Sequence, residues 1–162
     1  MHTAYYPNPL GVARITEEDG FITSISIKDK DHVTDDATEI SPVLKQAIDQ
    51  LDEYFAGKRL DFDFPFRQAG TDFQQTVWKQ LLTIGYAQTI SYSKMSEQMG
   101  NPLAIRAIAS ANGKNSLWVV VPCHRVVGAD GTLVGYAGGL WRKQWLLEHE
   151  AKVAGVGQTK LF

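Results

Sequence analysis

The stretch VVVPCHRVVG, residues 119–128, contains the only cysteine of this 162-residue chain. Valines flank it on both sides, so a lone thiol stands with a histidine and an arginine inside an apolar run. With one cysteine there is no internal disulfide framework and no multi-thiolate zinc site. The chain must therefore fold on its apolar core. Hydrophobic residues at 44% and charged residues at 21% are ordinary for a globular protein. The length suits one domain, or a small subdomain joined to a larger one. No apolar run approaches the ~20 residues of a membrane span. MHTAYYPNPLG, at the N-terminus, has neither a basic start nor an apolar core segment. A soluble, cytoplasmic protein with no membrane partner is expected.

The formal charge of −2 is unevenly spread. Residues 1–84 carry 8 Lys/Arg against 14 Asp/Glu, a balance of −6, and residues 85–162 carry 8 against 4, a balance of +4. This asymmetry suggests an anionic partner for the second half alone, although an ordinary solvated surface accounts for it equally well.

The first third reads as a small sheet with a helix. LGVARI and FITSISI are joined through TEEDG, whose Asp19-Gly20 is a hairpin-turn signal. Phe21, Thr23, Ile25 and Ile27 alternate against Ile22, Ser24 and Ser26, as in a half-buried strand. Ser41-Pro42 supplies a helix cap and a first-turn proline. Val43, Ala47, Leu51 and Tyr54 form the stripe of that helix, widened by Leu44, Ile48 and Phe55. LDFDFPF predicts a third strand stopped by Pro65, and FRQAGT a linker. Thr71 and Gln74 then form a capping-box pattern ahead of the stripe Phe73, Val77 and Leu81. The expected class is α/β of the α+β kind. A small N-terminal antiparallel sheet with a helix fills residues 1–68, followed over residues 69–162 by a mainly helical part that contains a helix-turn-helix.

That helix-turn-helix is read in SYSKMSEQMGNPLAIRAIASANGKN. Ser93–Met99 is a short helix broken by Gly100. Asn101 is expected to cap a second helix that starts at Pro102, with Ile105 and Ile108 facing inward. Helical hairpins are common, but the second helix offers a surface of small residues, Ala104, Ala107, Ser110 and Ala111, suited to close approach to a groove. Arg106 is the one long cation among them. Asn101, Ala104, Arg106, Ala107 and Ser110 are thus candidate DNA contacts, with Lys94, Lys114 and Arg125 for phosphates.

A free thiol titrates near ~8.5, so a nucleophilic Cys123 needs a base, a cation or a helix N-terminus beside it. In an extended segment Cys123 and His124 point to opposite faces. They meet only if the chain turns, which Pro122 favours, or through a bridging water. His124 in turn needs an acceptor to orient it, and spacing leaves Glu148 and Glu150 both open.

PCHRVV, then GYAGG thirteen residues downstream, then KQWLLEHE, preceded by NPLAIRAIASANGKN, resembles the O6-alkylguanine-DNA alkyltransferase family from about Thr71 to Glu150. The resemblance implies a protein that binds double-stranded DNA bearing O6-alkylguanine through the minor groove. It rotates the damaged base out of the stack and moves the alkyl group irreversibly to Cys123. Cys123, His124 and Glu150 match the family's relay, so the choice of Glu150 over Glu148 comes from the family. Tyr92 matches the tyrosine that crowds the 3′ phosphate and gives a proton to the departing guanine. Arg106 matches the finger that fills the vacated stack, and Asn115 the hinge asparagine. Tyr136, Ala137, Gly138 and Gly139 match the loop over the base. No cofactor and no metal are implied, because the N-terminal region lacks the thiols of the zinc sites found in parts of the family. A monomer spent in one turnover is expected.

Departures from the pattern include Ala109 where glycine is frequent, Ser116 where proline often follows the hinge, and Ala137 where some members carry serine. Trp118 replaces a smaller residue and is expected to limit the alkyl groups accepted, or else merely to pack. Two other functions remain open on sequence: a lesion-binding protein without transfer, and a Cys–His hydrolase that turns over.

Overall fold

The computed structural model describes residues 1–155. The chain gathers into two compact units: Met1–Ala69 with Ser116–Val120, and Gly70–Asn115 with the chain from Val121 onward. No helix among the described residues is long and apolar enough to cross a membrane.

The first unit is a three-stranded antiparallel sheet in the order β1 (His2–Asn8), β2 (Gly11–Glu18), β3 (Phe21–Lys28), with α1 (Pro42–Phe55) packed on all three strands. Asp19 and Gly20 both take positive φ, 52° and 83°. This is the geometry in which a two-residue turn matches the twist of the strands it joins. The Ser41 hydroxyl accepts from the Leu44 N–H, as a capping serine should. Leu44, Ala47, Leu51 and Tyr54 of α1 are buried, as are Ala13, Ile15, Ile22, Ile25 and Ile27 of the sheet.

Two expectations for this unit are corrected. The residues of LDFDFPF form no strand; only Phe66 makes an isolated bridge to Ile22. Pro65 has no N–H to give, and the Asp63 N–H is taken by the Gln50 side chain at 3.1 Å. Phe62, Phe64 and Phe66 pack ring edge against ring face instead. The third strand is β1, which tolerates Pro7 because it lies at the sheet edge. In β3 the register slips by one residue: Thr16 pairs with Ser24 but Glu17 with Ile22, leaving Thr23 as the extra residue of a bulge. The alternation therefore changes phase, with Ile22 turned inward and Phe21 exposed beneath the Arg67 guanidinium.

Residues 116–120, which a division at 68/69 assigns to the second part, return to the first unit. The Ile25 N–H donates to the Ser116 carbonyl at 2.7 Å and the Trp118 N–H to the Ile25 carbonyl at 3.1 Å. The Ser116 hydroxyl reaches the carbonyl of the bulged Thr23 at 3.0 Å. Trp118 is buried in this segment.

The second unit comprises α2 (Asp72–Leu81), β4 (Ile90–Ser91), α3 (Tyr92–Gln98), α4 (Ile105–Gly113), β5 (Val126–Val127) and α5 (Leu140–Ala154). Both halves of the capping box form: the Gln74 N–H donates to the Thr71 hydroxyl at 3.1 Å, and the Thr71 N–H to the Gln74 side chain at 2.9 Å. Val77, Trp78 and Leu81 of α2 are buried, whereas Phe73 is exposed. The Trp78 indole N–H donates to the Ala111 carbonyl at 2.9 Å, which fixes α2 against α4. β4 and β5 form a short parallel ladder, so the segment just before α3 lies beside the segment just after Cys123.

The helix-turn-helix forms with different caps. α3 begins at Tyr92, one residue before the expected Ser93, and is capped by Ser91, whose hydroxyl accepts from the Lys94 N–H at 3.0 Å. Asn101 caps nothing: its carbonyl accepts from the Ala104 N–H at 3.0 Å, making residues 101–104 a turn with Pro102 at its second position. α4 begins at Ile105. Its inward face is Ala104, Ile108, Ala111 and Asn112, so Ala104 and Ala111 both leave the expected groove-facing surface, and Ile105, expected inward, is exposed.

Replacing Thr71 with alanine removes one half of the capping box. We expect Thr71→Ala to lower the unfolding free energy by about 1 kcal/mol in urea titrations, with an unchanged denaturant slope.

Candidate active site around Cys123

The chain turns twice at the cysteine. Pro122 sits at φ −81°, ψ 63° with the Cys123 N–H donating back to the Val121 carbonyl at 2.8 Å, an inverse γ-turn. Cys123–Arg125 then forms a 3₁₀ turn, closed by the Arg125 N–H on the Pro122 carbonyl at 3.0 Å. The opposed faces of an extended strand therefore do not apply here. Ahead of the turn, the Asn115 side chain donates to the Val121 carbonyl at 2.9 Å, bridging the excursion of residues 116–120. Asn115 thus ties the segment following α4 to the cysteine segment.

Of the two glutamates, Glu150 meets the histidine. His124 Nε2 lies 2.7 Å from Glu150 Oε2, with both side chains fully buried. Glu148 lies on the outer side of α5, bonded by Gln144. The Glu150 carboxylate also receives Arg125 Nε at 2.9 Å and Nη2 at 3.0 Å, and the Ala87 N–H at 3.2 Å. Burial alone would push its pKa up, but the charges and hydrogen bonds of His124 and Arg125 hold it below the ordinary carboxylate range. Glu150 is therefore an anion. Burial lowers the His124 pKa against the pull of Glu150, so the imidazole is neutral. A neutral imidazole facing a carboxylate through Nε2 must donate there, which leaves Nδ1 as the acceptor. Nδ1 is buried with no protein hydrogen bond. The structure thus presents a base with an open lone pair one residue from the thiol.

Arg125, expected among the phosphate contacts, is corrected. It is 7% exposed, grips Glu150 through two nitrogens and donates Nη1 to the Ile84 carbonyl at 2.7 Å. No charge is left over for DNA.

Cys123 is 5% exposed. Burial pushes its thiol pKa up, opposed by a hydrogen bond from Asn115 and the positive charge of Lys143. The resting sulfur is therefore a protonated thiol. Lys143 was not anticipated. Its side chain is fully buried, and Nζ donates to the Val134 and Gly135 carbonyls at 2.7 and 3.3 Å. Burial lowers its pKa to about 8, against the pull of Cys123. Neighbouring Arg142 donates to the Gly138 carbonyl at 2.8 Å. Both cations sit in the first turn of α5, where the helix dipole disfavours them. That misplacement was the available signal: they serve the carbonyls of the loop before the helix. This loop carries Tyr136, Ala137 and Gly138. Tyr136 has a buried hydroxyl whose pKa burial pushes well up, Ala137 is exposed and Gly138 is buried.

Tyr92, the first residue of α3, is half-buried, and its hydroxyl accepts from Asn112 Nδ2 at 3.1 Å. Burial raises its pKa, the Asn112 hydrogen bond lowers it, and the Cys123 charge raises it again. On the outer face of α4, Arg106, Ala107, Ala109 and Ser110 are exposed, as is Asn101 in the turn before it.

Loss of the Glu150 charge leaves Arg125 buried and unpaired. We expect Glu150→Gln to cost about 3–5 kcal/mol of unfolding free energy near neutral pH, measured by urea titration. The Glu150 pKa is lower folded than unfolded, so its contribution is complete above the ordinary carboxyl value of 4.5 and is lost as pH falls below it. The stabilities of wild type and variant should therefore draw together in acid.

Residues 72–152 match the model of the 6-O-methylguanine DNA methyltransferase DNA-binding domain, and residues 1–68 that of the 6-O-methylguanine DNA methyltransferase ribonuclease-like domain. The methylated-DNA–protein-cysteine methyltransferase of Mycobacterium leprae is 40% identical over 152 residues, covering 93% of this chain and 92% of its own. That of Mycobacterium bovis is 52% identical over 113 residues, 70% of this chain and 68% of its own. Among solved structures, Mycobacterium tuberculosis OGT in complex with DNA superposes with a TM-score of 0.83 at 40% identity, covering 94% of each chain. The Mycobacterium tuberculosis O6-methylguanine methyltransferase gives 0.81 at 39% identity, covering 98% of this chain and 97% of that one. With both of its parts matched and relatives alike along nearly its whole length, the chain belongs to the 6-O-methylguanine DNA methyltransferase family.

Proposed function

We propose that this protein is a methylated-DNA–protein-cysteine methyltransferase that repairs O6-alkylguanine in duplex DNA by taking the alkyl group onto Cys123. The observation that carries the reading is the His124–Glu150 pair. It leaves an unclaimed lone pair on the imidazole of the residue that follows the only cysteine of the chain. Relatives named for this activity, and one solved in complex with DNA, support it.

The alkyl carbon is saturated, and a sulfur nucleophile displaces at such a centre in line. His124 Nδ1 takes the thiol proton as the carbon–sulfur bond forms, directly or through a water. The carbon–O6 bond breaks with its electron pair going to guanine, a poor leaving group unless it is protonated. Tyr92 supplies that proton. One proton leaves sulfur and one arrives on the base, so the balance closes without a cofactor. The thioether product resists hydrolysis, and there is no second thiol to resolve it. One molecule repairs one lesion.

Reaching the buried sulfur requires the base to leave the stack. α4 is the element for this. Its exposed small residues Ala107, Ala109 and Ser110 allow approach to the minor groove, and Arg106 is the side chain long enough to fill the gap. The protein acts as a monomer, in the compartment that contains DNA and keeps thiols reduced, the cytoplasm. Asn115 serves as the hinge between α4 and the cysteine turn, and the loop around Tyr136 and Gly138 covers the base.

Incubation with a duplex carrying O6-methylguanine labelled in the methyl group should place one label per chain on Cys123. Cys123→Ser should bind the same duplex without reacting. Binding by the unaltered protein with no label on sulfur would make it a lesion-binding protein instead, and repeated turnover a hydrolase. Separately, Arg106→Ala should slow transfer from the duplex by about tenfold or more, roughly 1.4 kcal/mol. Free O6-benzylguanine, which needs no flipping, should react within about twofold of the wild-type rate.

A further inference from the structure

The geometry points to Asn112 as a positioning residue for alkyl transfer: it holds the Tyr92 hydroxyl as an acceptor, so that the hydroxyl's own proton is presented to the departing base. The inference rests on the reading of Cys123 as alkyl acceptor and Tyr92 as proton donor.

Asn112 lies near the end of α4 and is 6% exposed. Its Nδ2 is 3.1 Å from the Tyr92 hydroxyl and 3.5 Å from the Cys123 carbonyl oxygen. A carbonyl only accepts, so the end of the carboxamide that faces Cys123 must be the NH2. That contact decides which end faces Tyr92 as well, since the same nitrogen serves both. The phenol oxygen therefore receives an N–H. A hydroxyl that accepts at one lone pair and has no carboxylate or carbonyl bonded to it keeps its own hydrogen for another partner. Without Asn112, nothing restrains the rotation of that hydroxyl through the contact that now fixes it.

The other end of the side chain strengthens the case. Asn112 Oδ1 is buried and has no protein hydrogen bond. A buried acceptor left unsatisfied is destabilising, and an apolar residue of the same shape would avoid that cost. The side chain that carries this cost is bonded to both Tyr92 and the cysteine turn. A flipped O6-alkylguanine carries one kind of N–H donor, its exocyclic amine, and Oδ1 is an acceptor without one.

In the transfer the carbon–O6 bond breaks and the carbon–Sγ bond forms. The thiol proton goes to His124, and the Tyr92 proton goes to guanine. The phenolate regains a proton from the imidazolium through solvent. The net change moves one alkyl group from O6 to sulfur and one proton from sulfur to guanine. Asn112 exchanges nothing and acts only by orientation.

The test is a double-mutant cycle on the full chain. Its readouts are the single-turnover rate of labelled methyl transfer from an O6-methylguanine duplex and the Kd for that duplex. Asn112→Leu removes both hydrogen bonds at similar volume. It should slow transfer by roughly tenfold, within the range of a proton-transfer contribution, with Kd changed by less than about threefold. In a Tyr92→Phe background the same substitution should slow transfer by less than about twofold, because the group it orients is gone. The tenfold penalty should also shrink when the methyl is carried on an 8-aza analogue of guanine, whose anion leaves more readily. Asn112→Ala carries the same expectations and serves if the leucine variant does not fold. Multiplying penalties in the double variant, or an unchanged rate in either single variant, overturns the inference. Wild-type protein that places no label on Cys123 defeats the alkyl-acceptor reading instead. A labelled wild type matched by its Asn112 variants defeats this inference alone.

Discussion

The second unit is built around one buried anion. The Glu150 carboxylate takes hydrogen bonds from Arg125, His124 and the Ala87 N–H, and so joins α5, the cysteine turn and the loop between α2 and β4. A bare carboxylate with no exposure would cost several kcal/mol. Arg125 offsets that cost, which is why a guanidinium is found inside an otherwise apolar run. Once the charge is neutralised by Arg125, His124 need not be protonated to satisfy Glu150. It can remain neutral and donate through Nε2, and Nδ1 is left basic. The arginine thus helps to secure the protonation state of the histidine.

The thiol follows a similar logic in reverse. Burial raises its pKa, so the resting sulfur is held as a poor nucleophile. For a protein that can react only once this is protective, because an exposed thiolate would be consumed by any soft electrophile. Activation then has to coincide with the arrival of the base. The Lys143 charge favours the thiolate without forming it, since its own ammonium is committed to the Val134 and Gly135 carbonyls.

Much of this was legible in local patterns. The Asp19-Gly20 hairpin, the caps at Ser41 and Thr71 and the two short helices around Gly100 are set by neighbours within four residues, and the chain states them directly. What escaped was decided at a distance. The bulge at Thr23 follows from the Ser116 hydroxyl taking the Thr23 carbonyl, across more than ninety residues of sequence. The strand expected in LDFDFPF lost its backbone bonds to Gln50. Arg125 looked like a surface cation because nothing in its own segment announces a carboxylate twenty-five residues later. Glu150 could be separated from Glu148 only by resemblance. Asn112 gave no signal beyond an asparagine in a helix, and Lys143 only its unfavourable place in the helix dipole.

α4 shows how recognition and chemistry are joined in one element. Its outer face is short side chains and Arg106, and its inner face is Ile108, Ala111 and Asn112. Trp78 anchors that inner face through the Ala111 carbonyl, one residue before Asn112. Directly after the helix, Asn115 holds the Val121 carbonyl. The end of α4 and the residues after it are therefore tied to the cysteine turn through two asparagines, one at the cysteine carbonyl and one at the residue before Pro122. Each is a carboxamide N–H on a backbone carbonyl, a directional bond that fixes the position of the turn, and Asn115 in addition favours the thiolate against the effect of burial.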